Sequence, residues 1–216
     1  MRESAVSISE SVGGQLRDPQ GWGGWLAGAV MRFANEECNR LAVETLRVEP
    51  GDTVLEIGCG PGHALALLAA RAPHALIHGV DQSDLMISQA SARNRKAIRE
   101  GRMRLHRADF ALLPMSDQSV DAILAVNVAY FWQRADVTLG ELRRVMRPGA
   151  QLVIYVTDRM SMQNWRFASS KTHVHWDASA LRAALRGAGF GAGEIEALSL
   201  RLRGGIRGLL AVAWMG

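Results

Sequence analysis

The stretch Val54-Leu55-Glu56-Ile57-Gly58-Cys59-Gly60-Pro61-Gly62 decides the fold. A short apolar run enters a turn in which every second residue is glycine, and His63 to Arg71 follows with Ala and Leu at helical spacing. That succession reads as a buried strand, a tight turn and a helix. Glycines at such a turn let the backbone bend sharply and approach a ligand with no Cβ in the way. In parallel sheets, ligands bind at the carboxyl ends of strands, where the strand order reverses.

The same alternation continues outward. Thr53 to Ile57 is the first strand, and Ala75 to Val80 is a second, ending at Asp81. Ser83 is the N-cap of a helix that runs to about Glu100 and is stopped by Gly101. Met103 to Arg107 and Val120 to Val126 are the third and fourth strands. A helix over Asp136 to Met146 ends at Arg147-Pro148-Gly149, and Gln151 to Val156 is the fifth strand. Strands that alternate with helices need crossover connections, so the sheet is expected to be mostly parallel, with helices on both faces. Ala178 to Gly187 is a further helix. Glu194 to Leu202 and Leu209 to Trp214 are two closing strands across the turn region Arg203 to Gly208, which makes the last pairing antiparallel.

The glycine spacing narrows the ligand. A dinucleotide fingerprint is G-x-G-x-x-G, with the pyrophosphate on the helix N-terminus. Here the glycines stand as Gly58-x-Gly60-x-Gly62, and position 63 is His. Glu56 just before the turn would repel a pyrophosphate but tolerate an amino-acid tail with an ammonium group. Asp81 lies nineteen residues past Gly62, where an acid accepts hydrogen bonds from a ribose diol.

With these residues the chain resembles the class I S-adenosylmethionine-dependent methyltransferases over roughly Leu46 to Gly216. Val54 to Gly62 matches their first motif, and Gly79-Val80-Asp81-Gln82-Ser83 looks like their second. Ala108-Asp109-Phe110 resembles the next cofactor turn. Pro114-Met115 through Val120-Asp121 and Arg143 to Ala150 resemble the approaches to the fourth and fifth strands. The resemblance implies an α/β, Rossmann-like fold with a seven-stranded, mostly parallel sheet and an antiparallel last strand. It implies S-adenosyl-L-methionine as cofactor, S-adenosyl-L-homocysteine as product, and cofactor contacts from Glu56, Gly58, Gly60, Asp81, Met86, Asp109, Phe110 and Asn127. Amino-methylating nucleic acid enzymes of this fold often carry an Asn or Asp, two prolines and an aromatic at the fourth strand's end. This chain has Asn127-Val128-Ala129-Tyr130, without the prolines.

Residues 1–46 differ in character. Gly13-Gly14, Asp18-Pro19 and Gly21 break regular structure, and Trp25 to Leu46 reads as one or two amphipathic helices. The expectation is an N-terminal helical cap or lid over residues 1–46, with Gln15 to Trp22 as its mobile part and Trp22 and Trp25 covering the site, followed by the methyltransferase domain over 47–216.

Transfer from a sulfonium needs donor and nucleophile held in line; orientation alone supplies on the order of 7–11 kcal/mol. A general base adds roughly 10²–10⁴-fold where the nucleophile carries a proton. Candidates for that base lie after the fourth and fifth strands: Tyr130, Asp158, His173 and His175, with Trp132, Trp165 and Trp176 nearby.

Bulk properties bound the rest. A chain of 216 residues that is 48% hydrophobic and 21% charged holds one domain with a full core. The start of the chain, Met1 to Glu10, reads as neither a signal peptide nor an anchor, and no apolar run reaches the roughly 20 residues of a membrane span. A cytoplasmic protein is expected, with Cys38 and Cys59 as unpaired thiols and no metal site. The net charge is +4, and basic residues cluster between Arg93 and Arg107, where no aromatic residue offers a base-stacking surface. The expected partner is a small-molecule substrate. The competing readings are an RNA or DNA methyltransferase, suggested by the basic stripe, and a nicotinamide-dependent oxidoreductase on a related sheet.

Overall fold

The structure is a computed structural model that describes residues 36–162, 173–191, 195–201 and 207–216. Helix α1 (Glu36–Thr45) precedes strand β1 (Thr53–Ile57), and α2 (His63–Arg71) and β2 (Leu76–Asp81) follow. Next come α3 (Asp84–Arg93), α4 (Arg95–Arg99), β3 (Met103–Arg107) and β4 (Val120–Val126). A single 3₁₀ turn over Ala129–Phe131 leads to α5 (Ala135–Val145), β5 (Met146–Thr157) and the one-turn helix α6 (Arg159–Met162). Helix α7 (Ala178–Gly187) precedes the closing strands β6 (Ile195–Arg201) and β7 (Arg207–Trp214).

Among the described residues the strands form one sheet in the order β3-β2-β1-β4-β5-β7-β6. The β3-β2-β1-β4-β5 run is parallel throughout, whereas β7 is antiparallel to both of its neighbours. Strand order reverses between β1 and β4: the chain builds outward from β1 to β3, then returns to β1's other side. That reversal leaves a crevice at the carboxyl ends of β1 and β4.

Side-chain alternation along the strands sorts the apolar residues into two cores, one on each face. Leu55, Ile57, Ile123, Leu152 and Ile154 lie in one cluster, together with Leu139 and Leu142 of α5 and Leu181 and Leu185 of α7. Val54, Leu124, Val153 and Tyr155 lie in the other, with Ala42 and Val43 of α1 and Ala64, Leu65 and Leu68 of α2. Most of these side chains are fully buried, each worth about 1.5–3 kcal/mol relative to exposure. Because both faces are covered, the central strands are apolar on both sides, which is why the sequence shows unbroken runs there.

The structure departs from the sequence expectation at two places. The helix expected to run from Ser83 to Glu100 is two helices divided at Asn94. Asn94 leaves helical geometry because its side-chain Nδ2 donates to the carbonyls of Gly62 and Ala90, each at 3.0 Å, which ties the helix end to the glycine turn. Strand β5 starts at Met146 rather than Gln151: Met146 pairs with Val120, an irregularity separates that pair from Ala122 and Gln151, and Arg147 is held on the Asp121 carboxylate at 2.5 Å. Of the expected cap over residues 1–46, α1 is the described part; its Cys38, Ala42 and Val43 are core residues on the sheet face, followed by Leu46. The proposed mobile part, with Trp22 and Trp25, lies outside the described residues, as does Trp165.

The basic stripe is spread over α3, α4 and β3. Arg102 and Lys96 pair with Glu100, Arg107 pairs with Asp84, and Arg93 donates to the Pro61 carbonyl at 2.9 Å. Cys38 and Cys59 are buried thiols that form no disulfide among the described residues, and burial pushes both above the usual thiol range. Among the described residues, no helix is long and apolar enough to cross a membrane, and no three metal-ligating side chains converge.

Candidate functional site

The crevice is built first from backbone. Gly58 and Cys59 both donate their N–H to the carbonyl of Val80, at 2.8 and 3.0 Å, which fastens the glycine turn to β2. Gly58 has φ 68°, and a Cβ there would sit 2.2 Å from Val128 Cγ2, so packing as well as conformation demands glycine. Gly60 differs. Its φ is 50°, yet among the described residues a Cβ there would meet nothing within 4 Å. Gly58 is crowded against the fold, whereas Gly60 borders open space.

Asp81 ends β2 beside this turn. Its Oδ2 accepts from the Gly60 N–H and its Oδ1 from the Ser83 N–H, both at 2.9 Å. The carboxylate is 9% exposed and accepts from these two backbone donors. Ser83 caps α3 through the Met86 N–H, which sets Met86 in the helix's first turn, 3% exposed. The loop after β3 returns to the same point: the Ala108 N–H donates to the Asp81 carbonyl at 3.1 Å. Asp109 is exposed and forms a tight turn, its Oδ1 accepting from the Ala111 N–H at 2.9 Å and from Gln82 Nε2 at 3.3 Å. Phe110 is buried in the apolar cluster that contains Val80 and Val128.

Glu56 lies on β1, 3% exposed, and its buried Oε2 has no hydrogen-bond partner among the described residues. Burial, reinforced by the charge of Asp81, pushes the carboxyl well above the ordinary carboxylate range. An orphaned buried acceptor is costly unless a donor arrives to meet it. It lines a small cleft whose wall also includes Gly58, Gly60, His63 and Val126, and Asn39 of α1.

The far side of the crevice is made by the ends of β4 and β5. Asn127 follows β4 at φ 53°; its N–H donates to the Tyr155 carbonyl at 2.8 Å, and its Oδ1 accepts from the Tyr130 hydroxyl at 2.5 Å. That hydroxyl also accepts from the Thr157 N–H, and burial keeps it firmly protonated. Tyr130 therefore bolts the turn after β4 to the end of β5. His173 is buried with its ring 5.1 Å from Phe131 and 6.2 Å from Tyr130; burial, with some help from His175, lowers its pKa to about 4. The segment after it docks on the 3₁₀ turn, Val174 N–H to the Tyr130 carbonyl at 2.7 Å and Trp176 Nε1 to the Ala129 carbonyl at 2.9 Å. Trp132 is 2% exposed within the same apolar cluster. Asp158 caps the one-turn helix α6, its Oδ1 accepting from the Met160 N–H at 2.8 Å. His175 is half-buried beside that segment.

Of the residues expected at the site, Glu56, Gly58 and Gly60 line one cleft, the Asp81 carboxylate is bonded to Gly60 beside it, and the rings of Tyr130 and His173 lie together beyond the end of β4. Asn39 and Asn94 escaped the sequence reading. Asn39 is a buried asparagine within α1, and Asn94 is a buried asparagine at the junction of α3 and α4. An adenosine cofactor with an amino-acid tail fits the residues present: a fixed carboxylate for the sugar hydroxyls, an open edge at Gly60, and an unmatched acceptor on Glu56 for an ammonium group.

Comparison with known proteins agrees with this geometry. Residues 55–154 match a family model described as a methyltransferase domain. The uncharacterized methyltransferase YdaC of Bacillus subtilis is 25% identical over 134 residues, which cover 62% of this chain and 72% of that one. The malonyl-[acyl-carrier protein] O-methyltransferase of Methylococcus capsulatus is 32% identical over 159 residues, 70% of this chain and 56% of its own length. This chain thus spans little more than half of that relative. In fold, the chain is similar to a methyltransferase of Haloferax volcanii solved in complex with the Trm112 methyltransferase activator. The TM-score is 0.78 at 23% identity, over 88% of this chain and 94% of that one.

Proposed function

From the premise that the chain is a class I S-adenosylmethionine-dependent methyltransferase, we infer that it methylates a small-molecule acceptor by in-line displacement. The observation that carries the reading is the crevice at the strand-order reversal, where a fixed Asp81 carboxylate, the open edge at Gly60 and the unmatched Glu56 oxygen stand side by side. Asp81 would hold the ribose, Glu56 the ammonium group, and Met86 and Phe110 the apolar sides of the adenine, with Asp109 at its edge. When bound, the cofactor supplies an electrophilic methyl group on a sulfonium.

The chain's own residues then have two tasks, to orient the acceptor and to exclude water. Orientation contributes more, on the order of 7–11 kcal/mol, and it needs no titrating side chain. Tyr130, bolted between Asn127 and Thr157, and Trp132 and Trp176 give that end a rigid apolar wall. His173 stays neutral at pH 7, but a pKa of about 4 makes it a weak base, so we assign it to positioning. Residues 1–46 act in this reading as a cap and 47–216 as the catalytic domain, in a cytoplasmic protein.

A nucleic acid acceptor is less well supported. The basic stripe is partly neutralised by Glu100 and Asp84, and the relative from Methylococcus capsulatus names an acyl-carrier-bound malonyl group as its acceptor. The direct test is incubation with S-adenosylmethionine carrying a labelled methyl group and a fractionated metabolite extract, followed by mass spectrometry. The expected result is label in a low-molecular-mass product, absent with Asp81→Ala. Label confined to RNA or DNA, with strong salt dependence, would overturn the small-molecule assignment.

A further inference from the structure

The connection from β3 to β4 has no helix: residues 108–119 form neither helix nor strand. Irregular segments of that length inside a compact domain are uncommon and usually functional. This one carries Asp109 and Phe110 at its start. Its first residue is fixed to β2, where the Ala108 N–H meets the Asp81 carbonyl. Beyond Leu112 it is fixed to the end of α5. The Leu113 N–H donates to Glu141 Oε1 at 2.7 Å. Arg144 uses all five of its N–H groups there. Its Nη2 donates to the Leu113 carbonyl at 3.3 Å, and its Nη1 to the Met115 carbonyl at 3.0 Å and Asp117 Oδ1 at 2.6 Å. Its Nε and Nη2 donate to the two oxygens of Glu141, at 2.8 and 2.7 Å. This pairing holds the Glu141 carboxyl below the ordinary carboxylate range, so it stays charged at neutral pH. A single exposed ion pair is worth only about 0–1 kcal/mol. A planar guanidinium that grips two backbone carbonyls and two carboxylates does more, because it fixes the path of the chain. Phe110 and Leu113 also pack in the same apolar cluster as Leu142 and Val145, so side chains and backbone fasten the loop to one helix.

We propose that Arg144 and Glu141 are positioning residues for the adenine end of the cofactor, setting the loop so that Asp109 meets the purine's amino group and Phe110 stands at the ring. Asp109 Oδ1 is occupied by Ala111 and Gln82, whereas among the described residues its Oδ2 accepts no hydrogen bond. That open oxygen suits a donor. An amino group on the purine donates to it, whereas the oxo group of a hypoxanthine can only accept and is repelled by it. Arg144 and Glu141 act on this choice from behind the loop, without contact to the cofactor. The preference for an amino over an oxo purine is then set from α5 rather than by Asp109 alone. This inference rests on the S-adenosylmethionine reading and adds to it the residues that hold the adenine side in place.

The test is calorimetric titration with S-adenosylhomocysteine and S-inosylhomocysteine, which differ only in the amino or oxo group of the purine. Both are titrated into the wild type, Arg144→Met, Glu141→Gln and Arg147→Met, with apo melting temperatures measured in parallel. The wild type is expected to prefer S-adenosylhomocysteine by roughly 10-fold or more, the worth of a hydrogen bond to a charged group. Arg144→Met is expected to reduce that preference to about 3-fold or less, mainly by weakening S-adenosylhomocysteine, and Glu141→Gln to reduce it part of the way. Arg147→Met releases Asp121 but leaves the Leu113 and Met115 carbonyls held, so it should lower the melting temperature and keep the full preference. Glu141→Gln keeps an acceptor for the Leu113 N–H, so it provides the folded variant if Arg144→Met does not fold. Equal affinities in the wild type, a full preference in the folded Arg144 or Glu141 variant, or the same loss in Arg147→Met would overturn the positioning role and leave the family reading intact. Failure of the wild type to bind either ligand would instead overturn the reading beneath it.

Discussion

The two ends of the crevice are built by different means. At the β1–α2 turn the geometry is made of backbone: N–H groups of Gly58, Cys59 and Gly60 reach β2, and the Asp81 carboxylate is pinned by two of the chain's own amides. At the β4–β5 end it is made of side chains: the Tyr130 hydroxyl joins Asn127 to Thr157, and His173 packs on Phe131. Backbone geometry needs only glycines and one acid at fixed spacing, so one sequence motif specifies it. A pocket of side chains depends on what packs behind each residue. The β1–α2 end is therefore specified locally and the β4–β5 end by tertiary context.

The contrast is sharpest within the glycine turn, where two similar substitutions should break different things. Gly58→Ala drives a Cβ into Val128 and holds a non-glycine residue at φ 68°. The expected cost is about 2–4 kcal/mol of stability, with a clear fall in Tm by calorimetry and loss of cofactor binding. Gly60→Ala places its Cβ in open space, so stability should fall by only about 1–2 kcal/mol, while S-adenosylhomocysteine affinity falls by roughly 10-fold or more. Equal melting temperatures for the two variants would erase the distinction between a glycine needed by the fold and one needed by the ligand.

At the acceptor end the expected effect is smaller. His173→Gln should lower kcat by less than about 10-fold once a substrate is known, because a ring with a pKa of about 4 contributes position more than proton transfer. A loss of roughly 10²–10⁴-fold, with a changed pH profile, would make His173 the general base after all.

The smallest expected effect is a pH dependence of stability that comes partly from outside the site. His78 and His106, on β2 and β3, stack with a ring-nitrogen separation of 2.9 Å. Burial, then the neighbouring charges of His106 and Arg104, lower His78 to about 4; His173 is lowered to about 4 as well. Both folded values lie below the unfolded value near 6.5, so the unfolded chain binds protons that the fold refuses. Stability is therefore full above about pH 6.5 and falls as pH drops toward 4. A Tm series from pH 7.5 to 5 should decline by several degrees, and His78→Gln should flatten part of that decline. A flat wild-type series would contradict it.

The division between local and tertiary determinants also explains what could be read beforehand. The strand, the glycine turn and Asp81 were legible because each is a short-range pattern with its own backbone reason. The break at Asn94 was not: its cause is a carbonyl on Gly62, thirty-two residues away in the chain. The early start of β5 depends on the pairing of Met146 with Val120, which no turn motif encodes. Asn39 looked like one polar position in an amphipathic helix until the fold brought it to the same cleft as Glu56. Tyr130 was legible as a residue near the site, but its two bonds to Asn127 and Thr157 were not, and those bonds decide that its hydroxyl holds the turn.

The most direct measurement is a crystal structure of the full chain with S-adenosylhomocysteine. The ribose hydroxyls are expected on the Asp81 carboxylate, the chain of the ligand passing over Gly60, and the ammonium group within hydrogen-bonding distance of Glu56 Oε2. Adenosine density anywhere other than the β1–β4 crevice, or an Asp81 carboxylate without contact to the sugar, would contradict the account.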